Sequence, residues 1–496
     1  MTTTRRDLLR RAAAFAAAPA VAQRSARRPN ILYALADDWG WPFVSIAGEP
    51  AVKTPVFDAV ARRGVLFTNA FVSAPSCTPS RASMLTGQWH WRLGEGANLG
   101  GTLPSRFPVY PDLLEAAGYH VGFTRKGWSP GDEAPGGRKR NPAGPRYADF
   151  SAFLSERPKG APFCFWFGSV DPHRPYDRDS GAAAGIRWQD VRVPPYLPDH
   201  EIVRRDIADY ILEVQRFDRE TGELIGMLEK AGELDNTIVV MSGDNGWPFP
   251  RAKASIYDTG THVPLAISWP SWAGGGRRVE DFVSLSDLAP TFLEAAGLRP
   301  PRQMTARSLM PLLTSKQTGG ADSRRDHVLT GMERHVPSRG EIRGGYPMRA
   351  IRTREFLYIR NFEPDRWPAG DPNGLEESGA QPFSFDELAG QTFKALADID
   401  AGPTKAYLVR HRGEPGVGPL YALAAGKRPE RELYDLRKDP FQMSNVAAEA
   451  GYSDAVKRLD AQLMAELKAS GDPRARGGGE EFDRYTWYQG QRRGKK

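Results

Sequence analysis

Cysteine is almost missing from this sequence. Only Cys77 and Cys164 occur among 496 residues, which excludes a disulfide framework and leaves no thiolate cluster for zinc. Cys164 lies inside the apolar run Phe163 to Phe167, where a buried free thiol is the expectation. Neither sign of charge dominates, with 67 Lys+Arg against 60 Asp+Glu and a net of +7. That excess suits an acidic ligand and equally suits ordinary solubility. At 40% hydrophobic residues, the chain reads as water-soluble, neither membrane-embedded nor disordered. Its length provides for one large domain and a smaller one.

The N-terminus reads as an address rather than as fold. Thr4-Arg5-Arg6-Asp7-Leu8-Leu9 is a twin-arginine pattern. An apolar stretch from Ala12 to Ala18 follows, and Ala20-Val21-Ala22 supplies a small-x-small cleavage site. The apolar stretch is too short to span a bilayer. Residues 1–22 are therefore expected to be a signal peptide that directs export to the periplasm or beyond, with no stable membrane insertion.

Four short apolar runs end in polar residues. Asn30 to Ala36 stops at Asp37-Asp38, Thr237 to Met241 leads to Asp244-Asn245, Phe163 to Val170 stops at Asp171-Pro172-His173, and Tyr119 to Phe123 leads to Arg125-Lys126. Runs without alternation indicate strands buried on both faces of a mainly parallel, helix-covered sheet. In such sheets ligands sit beyond the carboxyl ends of the strands, so these residues are expected to share one site. Helices are expected over 55–63, 111–117, about 199–231 and 286–296, each closed by a glycine. A Pro-, Arg- and Gly-rich stretch from about 298 to 345 marks the boundary between a domain of residues 29–345 and a smaller α+β unit of residues 346–475. The smaller unit should carry antiparallel strands over 348–362 and a helix over 454–470, before a polar tail at 476–496.

Ser76 to Gly87, Ser-Cys-Thr-Pro-Ser-Arg-Ala-Ser-Met-Leu-Thr-Gly, reads as a loop running into a helix. Pro79 suits a first turn and Gly87 a left-handed stop. Cys77 then stands just ahead of a helix N-terminus, which favours a nucleophile and the anion it attacks. Arg81 follows one turn later on a similar face. A buried cysteine beside a capped helix is the plainer alternative. Asp37, Asp38, Asp244 and Asn245 offer oxygen ligands suited to calcium, and less well to magnesium. Read singly, the same residues are helix caps and turn formers.

The Ser76 to Gly87 segment resembles the sulfatase signature, Cys-x-Pro-Ser-Arg followed by Leu-Thr-Gly, and matches every fixed position. Further stretches resemble the heparan N-sulfatase (sulfamidase) group: Val191 to Pro198, Asp244 to Tyr257, Tyr346-Pro347-Met348-Arg349 and Glu432 to Pro440. The resemblance implies an alkaline phosphatase-like α/β fold and conversion of Cys77 to formylglycine by a maturation enzyme. It also implies a calcium ion among Asp37, Asp38, Cys77, Asp244 and Asn245, and a sulfated glycan substrate rather than a nucleic acid. Catalytic roles fall to Cys77, Arg81, Lys126, His173 and Lys253. The implied chemistry is attack on sulfur by the hydrated aldehyde, protonation of the leaving group by His173, and expulsion of sulfate to restore the aldehyde. His262, His335 and Arg349 are candidate substrate-binding residues.

One position departs from the family pattern. Many sulfatases carry a histidine two residues after the lysine, where this chain has Trp128. Trp has no basic nitrogen, so another base, such as His90 or His262, is required or the second half-reaction differs. The rival readings are an O-sulfatase, a phosphonate or phosphate-ester hydrolase on the same scaffold, and a catalytically silent glycan-binding protein.

Overall fold

Strand β1, Asn30–Ala36, is buried along its whole length, and its alternate side chains feed two different cores. Ile31, Tyr33 and Leu35 pack with Trp166, Val240 and Phe292 on one face. Leu32, Ala34 and Ala36 pack with Phe165, Phe167, Val239 and Met241 on the other. The period-2 geometry of a strand thus turns an unalternating apolar run into the centre of a three-layer structure. The computed structural model describes residues 27–488 apart from 273, 342 and 378. The signal-peptide reading of residues 1–22 lies outside the described residues.

The large sheet has seven strands. In addition to β1 they are β2 (Val65–Phe67), β4 (His120–Arg125), β5 (Phe163–Gly168), β6 (Thr237–Gly243), β7 (Leu265–Ser268) and β8 (Arg277–Val279), in the order β4-β5-β1-β6-β7-β2-β8. The strands β4, β5, β1 and β6 run parallel, whereas β7 is antiparallel to both β6 and β2. The mixed, mainly parallel α/β sheet expected from the apolar runs is therefore present. Its register matches Leu35 to Gly168 and Ala36 to Gly243, so the polar residues after these strands emerge at one edge. The helix Glu201–Lys230 covers one face through Val203, Ile207, Ile211, Val214 and Phe217.

The short strands β3 (Ala70–Phe71) and β9 (Val283–Ser284) form a parallel pair, and a separate antiparallel sheet contains β10 (His327–Met332), β11 (Met348–Thr353), β12 (Phe356–Asn361) and β13 (Arg431–Asp435) in that order. Its first strand precedes residue 346, so the sheet straddles the expected boundary. The helix Ser453–Ser470 seals one face through Val456, Leu459, Leu463 and Leu467. Ser453 is the first residue of that helix and Tyr452 occupies the cap position. Residues 476–488 lie docked against the protein: Phe482 is buried, its carbonyl accepts from Asn98 Nδ2 at 2.7 Å, and the Tyr488 N–H donates to the Gly100 carbonyl. Among the described residues, no helix is long and apolar enough to cross a membrane.

Candidate active site

The helix Cys77–Thr86 is buried at all ten positions and ends at Gly87 in the left-handed conformation, as Gly87 was expected to allow. Its arginine ties three strand ends together. Arg81 Nε donates to Asp244 Oδ2 at 2.7 Å, and Nη1 donates to the carbonyls of Lys126 and Gly127 at 2.9 and 2.8 Å. Nη2 stands 3.5 Å from Asp37 Oδ1. Ser80 Oγ donates to the Asp244 carbonyl at 2.5 Å. Arg81 is therefore a buried brace between the ends of β4, β1 and β6, and it places the helix N-terminus above them.

Around Cys77 the charges interlock. Its Sγ lies 3.5 Å from Asp37 Oδ1 and 4.0 Å from Asp38 Oδ1. Lys126 Nζ donates to both oxygens of Asp37, at 2.6 and 2.5 Å. Lys253 Nζ bridges Asp38 Oδ2 at 2.8 Å and Asp400 Oδ2 at 3.0 Å. His173 Nδ1 donates to the Arg174 carbonyl at 2.5 Å, which leaves Nε2 3.8 Å from Asp38 Oδ2. Asp38 itself has φ of 72°, a conformation costly for a non-glycine residue and held by its surroundings. Those surroundings include the Asp38 N–H bond to Asp244 Oδ1 at 2.9 Å.

The electrostatics follow from burial and pairing. Burial pushes the Cys77 thiol up, with Lys126 opposing too weakly to reverse it, so the unmodified side chain is a protonated, poor nucleophile. Burial also opposes ionisation of Asp37, but Lys126, His173 and Arg81 together hold it well below the ordinary carboxylate range. Asp244 is pushed up to about 6 by burial, against Arg81 and with the help of Asp37 and Asp38. Burial would lower Lys126, but Asp37, Cys77 and Asp244 together raise it above the ordinary lysine value.

The same residues fit a hard cation. One ligand atom each from Asp37, Asp38, Cys77 and Asp244 lies within 4.8 Å of the others. Asn245 Oδ1 is buried and has no hydrogen-bond partner among the described residues, while its Nδ2 donates to Asp38 Oδ1 at 2.6 Å. An orphaned acceptor pointed into a carboxylate cluster is what an oxygen-ligated divalent cation would satisfy.

Cys77, Asp37, Lys126, His173, Lys253 and His335 all line one cavity of about 710 Å³. Two expected substrate contacts are not there. Arg349 is fully buried and pairs with Glu333 Oε1 at 2.5 Å and Asp472 Oδ2 at 2.6 Å. Its guanidinium is committed to holding β11 to the chain after the last long helix. His262 is stacked between Phe71 and Trp41, with ring centroids 4.7 and 5.4 Å away. It donates from Nε2 to the Thr68 carbonyl, and burial draws it down to about 4, so it stays neutral in the core. The alternative bases fare no better. His90 bonds Ser73 within the core, and Trp128 is buried outside the cavity lining with Nε1 unpartnered among the described residues. His335 also lines the cavity, with Nδ1 2.9 Å from Oγ of Ser76, the neighbour of Cys77. Asp400 was not anticipated. It stands 147 positions from Lys253 in the chain, inside a loop with no motif to mark it.

Comparison with known proteins agrees with this geometry. The model for N-sulphoglucosamine sulphohydrolase, C-terminal, matches residues 243–368. The human N-sulphoglucosamine sulphohydrolase (Homo sapiens) is 28% identical over 90% of this chain and 91% of its own. An ulvan-active sulfatase of Formosa agariphila is 26% identical over 90% of this chain and 76% of its own. The solved structure of a protein with its substrate D-glucosamine-2-N,6-O-disulfate superposes with a TM-score of 0.63 at 18% identity, covering 90% of this chain and 99% of that one. The Sulfatase family model matches residues 29–139 and 145–298. That match spans more than half of the sequence, and the chain belongs to the sulfatase family, hydrolases that act on sulfate esters or sulfamides.

Proposed function

We propose that the protein removes sulfate from a sulfated amino sugar, with the N-sulfo group of a non-reducing glucosamine as its substrate, and that Cys77 works as formylglycine. The observation that carries this reading is the convergence of Lys126, Lys253 and His173 on Cys77 at the floor of one cavity. The match of the second family model to residues 243–368 favours the N-sulfo group over an O-sulfate.

Each side chain has a part set by its position. As the aldehyde hydrate, residue 77 supplies the hydroxyl that attacks sulfur, a role its buried thiol could not fill. Lys126 and Lys253 are fixed cations that cancel charge on the sulfate oxygens without reorganising during reaction. His173, half-exposed in the cavity, holds the proton that the leaving nitrogen needs as the S–N bond breaks. Arg81 keeps the nucleophile and its carboxylates in register. Asp37, Asp38, Asp244, Asn245 and residue 77 would hold Ca²⁺, which supplies further charge cancellation at sulfate and relieves the carboxylate crowding. Modification of Cys77 suits that ion, because it exchanges the single soft donor for oxygen.

Matched glucosamines carrying either N-sulfate or 6-O-sulfate decide the bond cleaved. Sulfate release from the N-sulfated sugar is expected, and release from the O-sulfated sugar alone would replace this reading with an O-sulfatase. Export is proposed from Arg5-Arg6 and the Ala20-Val21-Ala22 site. Changing both arginines to lysine should hold the precursor in the cytoplasm, and unchanged export would refute it.

A further inference from the structure

Six large hydrophobic side chains stand exposed among the described residues, and two of them line the catalytic cavity: Val170, 51% exposed, and Phe393, 62% exposed. Exposed apolar area is unfavourable in water, and a loop free to move would turn such a ring inward. This loop is pinned. Phe393 is the middle residue of a single turn, Thr392–Lys394. The buried Lys405 Nζ donates to the carbonyls of Thr392, Leu396 and Ile399 at 3.1, 3.2 and 2.8 Å. Thr392 Oγ1 accepts from the Ala401 N–H, and Asp398 is bonded to Val336 N and Arg339. Thr404 is tied to Asp206 of the long helix. Val170 is equally fixed, because Ser169 N donates to the Leu35 carbonyl and Asp171 N donates to Ser169 Oγ.

The cavity lining carries both signs of charge: Lys126, Lys253 and His173, and also Asp171, Asp177 and Glu213. Its two arginines are paired, Arg174 with Asp206 at 2.8 Å and Arg216 with Asp171 at 3.5 Å and Glu213 at 2.6 Å. The two lysines can therefore take one sulfate, and the three carboxylates offer acceptors for hydroxyl or amino hydrogens rather than cations for a second anion. The C–H face of a pyranose is the complementary surface for an exposed aromatic ring.

We propose that Phe393, with Val170, is the specificity-determining platform of this cavity, stacking the apolar face of a pyranose ring that carries a single sulfate. The proposal rests on the sulfatase reading given above. Phe393→Ala should raise KM for the turned-over glucosamine monosulfate roughly tenfold while kcat changes less than about twofold. Phe393→Trp should restore it. Inhibition by inorganic sulfate, which has no ring to stack, should be the same in wild type and Phe393→Ala, and the disulfated ring should show a higher KM than the monosulfated one. An unchanged sugar KM in Phe393→Ala, a parallel loss of sulfate inhibition, or equal use of mono- and disulfated rings would overturn the proposal. Wild-type turnover of 4-nitrophenyl sulfate but of no pyranose sulfate would overturn it and leave the sulfatase reading standing. Aldehyde-bearing wild type that releases sulfate from neither class would end both.

Discussion

Two buried ionic clusters in this protein look alike in composition and differ in what they leave open. Around Arg349, every carboxylate oxygen is occupied. Glu333 pairs with Arg349 and Arg474, and Asp472 pairs with Arg349 and caps the Arg474 N–H. The four side chains are buried, and the cluster fastens the tail to the antiparallel sheet. Around Arg81 there are equally buried carboxylates, but Asn245 Oδ1 has no partner among the described residues, burial and like charge push Asp244 up to about 6, and Lys126 and Lys253 front a cavity. Buried charge by itself indicates structure. Buried charge with an unspent acceptor and an opening indicates chemistry.

Substitutions can break that contrast. The largest effect is expected at the nucleophile. Cys77→Ala should lower kcat on the order of 10⁴- to 10⁶-fold with an unchanged melting temperature, and peptide mass spectrometry of wild type should show the aldehyde at position 77. Asp244→Asn should lose bound metal and activity together, read by elemental analysis. If it retained full occupancy, the cation would have to lie elsewhere. His173→Ala should cost about 10²- to 10⁴-fold in kcat with little change in KM. An equal loss in binding would make it a sulfate ligand rather than a proton donor. Arg349→Leu should act in the opposite manner, destabilising by about 3–5 kcal/mol in urea titration, because two carboxylates lose a partner. Its kcat and KM per folded molecule should match wild type, and a selective KM defect would return Arg349 to the substrate site.

The smallest effect concerns pH. Burial pulls Lys405 down to about 7, against the opposing charges of Asp400 and Asp398. Between about 7 and its unfolded value near 10.4, the unfolded chain binds more protons at this residue than the folded one. Its contribution therefore favours folding more as pH rises through that window, by at most about 1.4 kcal/mol per pH unit. The stability difference between wild type and Lys405→Met should grow with that slope. A flat difference would mean the ammonium is equally protonated in both states.

Much of the floor of the site was legible in the sequence because it is built from local patterns. Four apolar runs ended in polar residues, and parallel pairing at fixed register carries those ends to one edge. Asp37, Lys126, His173 and Asp244 were placed together on that ground alone. Gly87 likewise closes the helix after Cys77, and Pro79 lies in its first turn, although that helix already begins at Cys77 rather than after it. Sequence reading failed where a side chain's role depends on distant partners. Arg349 and His262 looked like ligand contacts, yet one is consumed by Glu333 and Asp472 and the other by an aromatic stack.

By itself, then, the sequence determined the strands, their polar ends and the helix that carries Cys77, since these depend on periodicity and neighbouring residues. Only the tertiary structure decided which charges line the cavity and which are enclosed in the interior. It alone brought Asp400 to Lys253 across 147 positions and fixed Phe393 at the mouth through Lys405. Such pairings are set by the packing of whole layers against one another, and no local pattern in the chain encodes them.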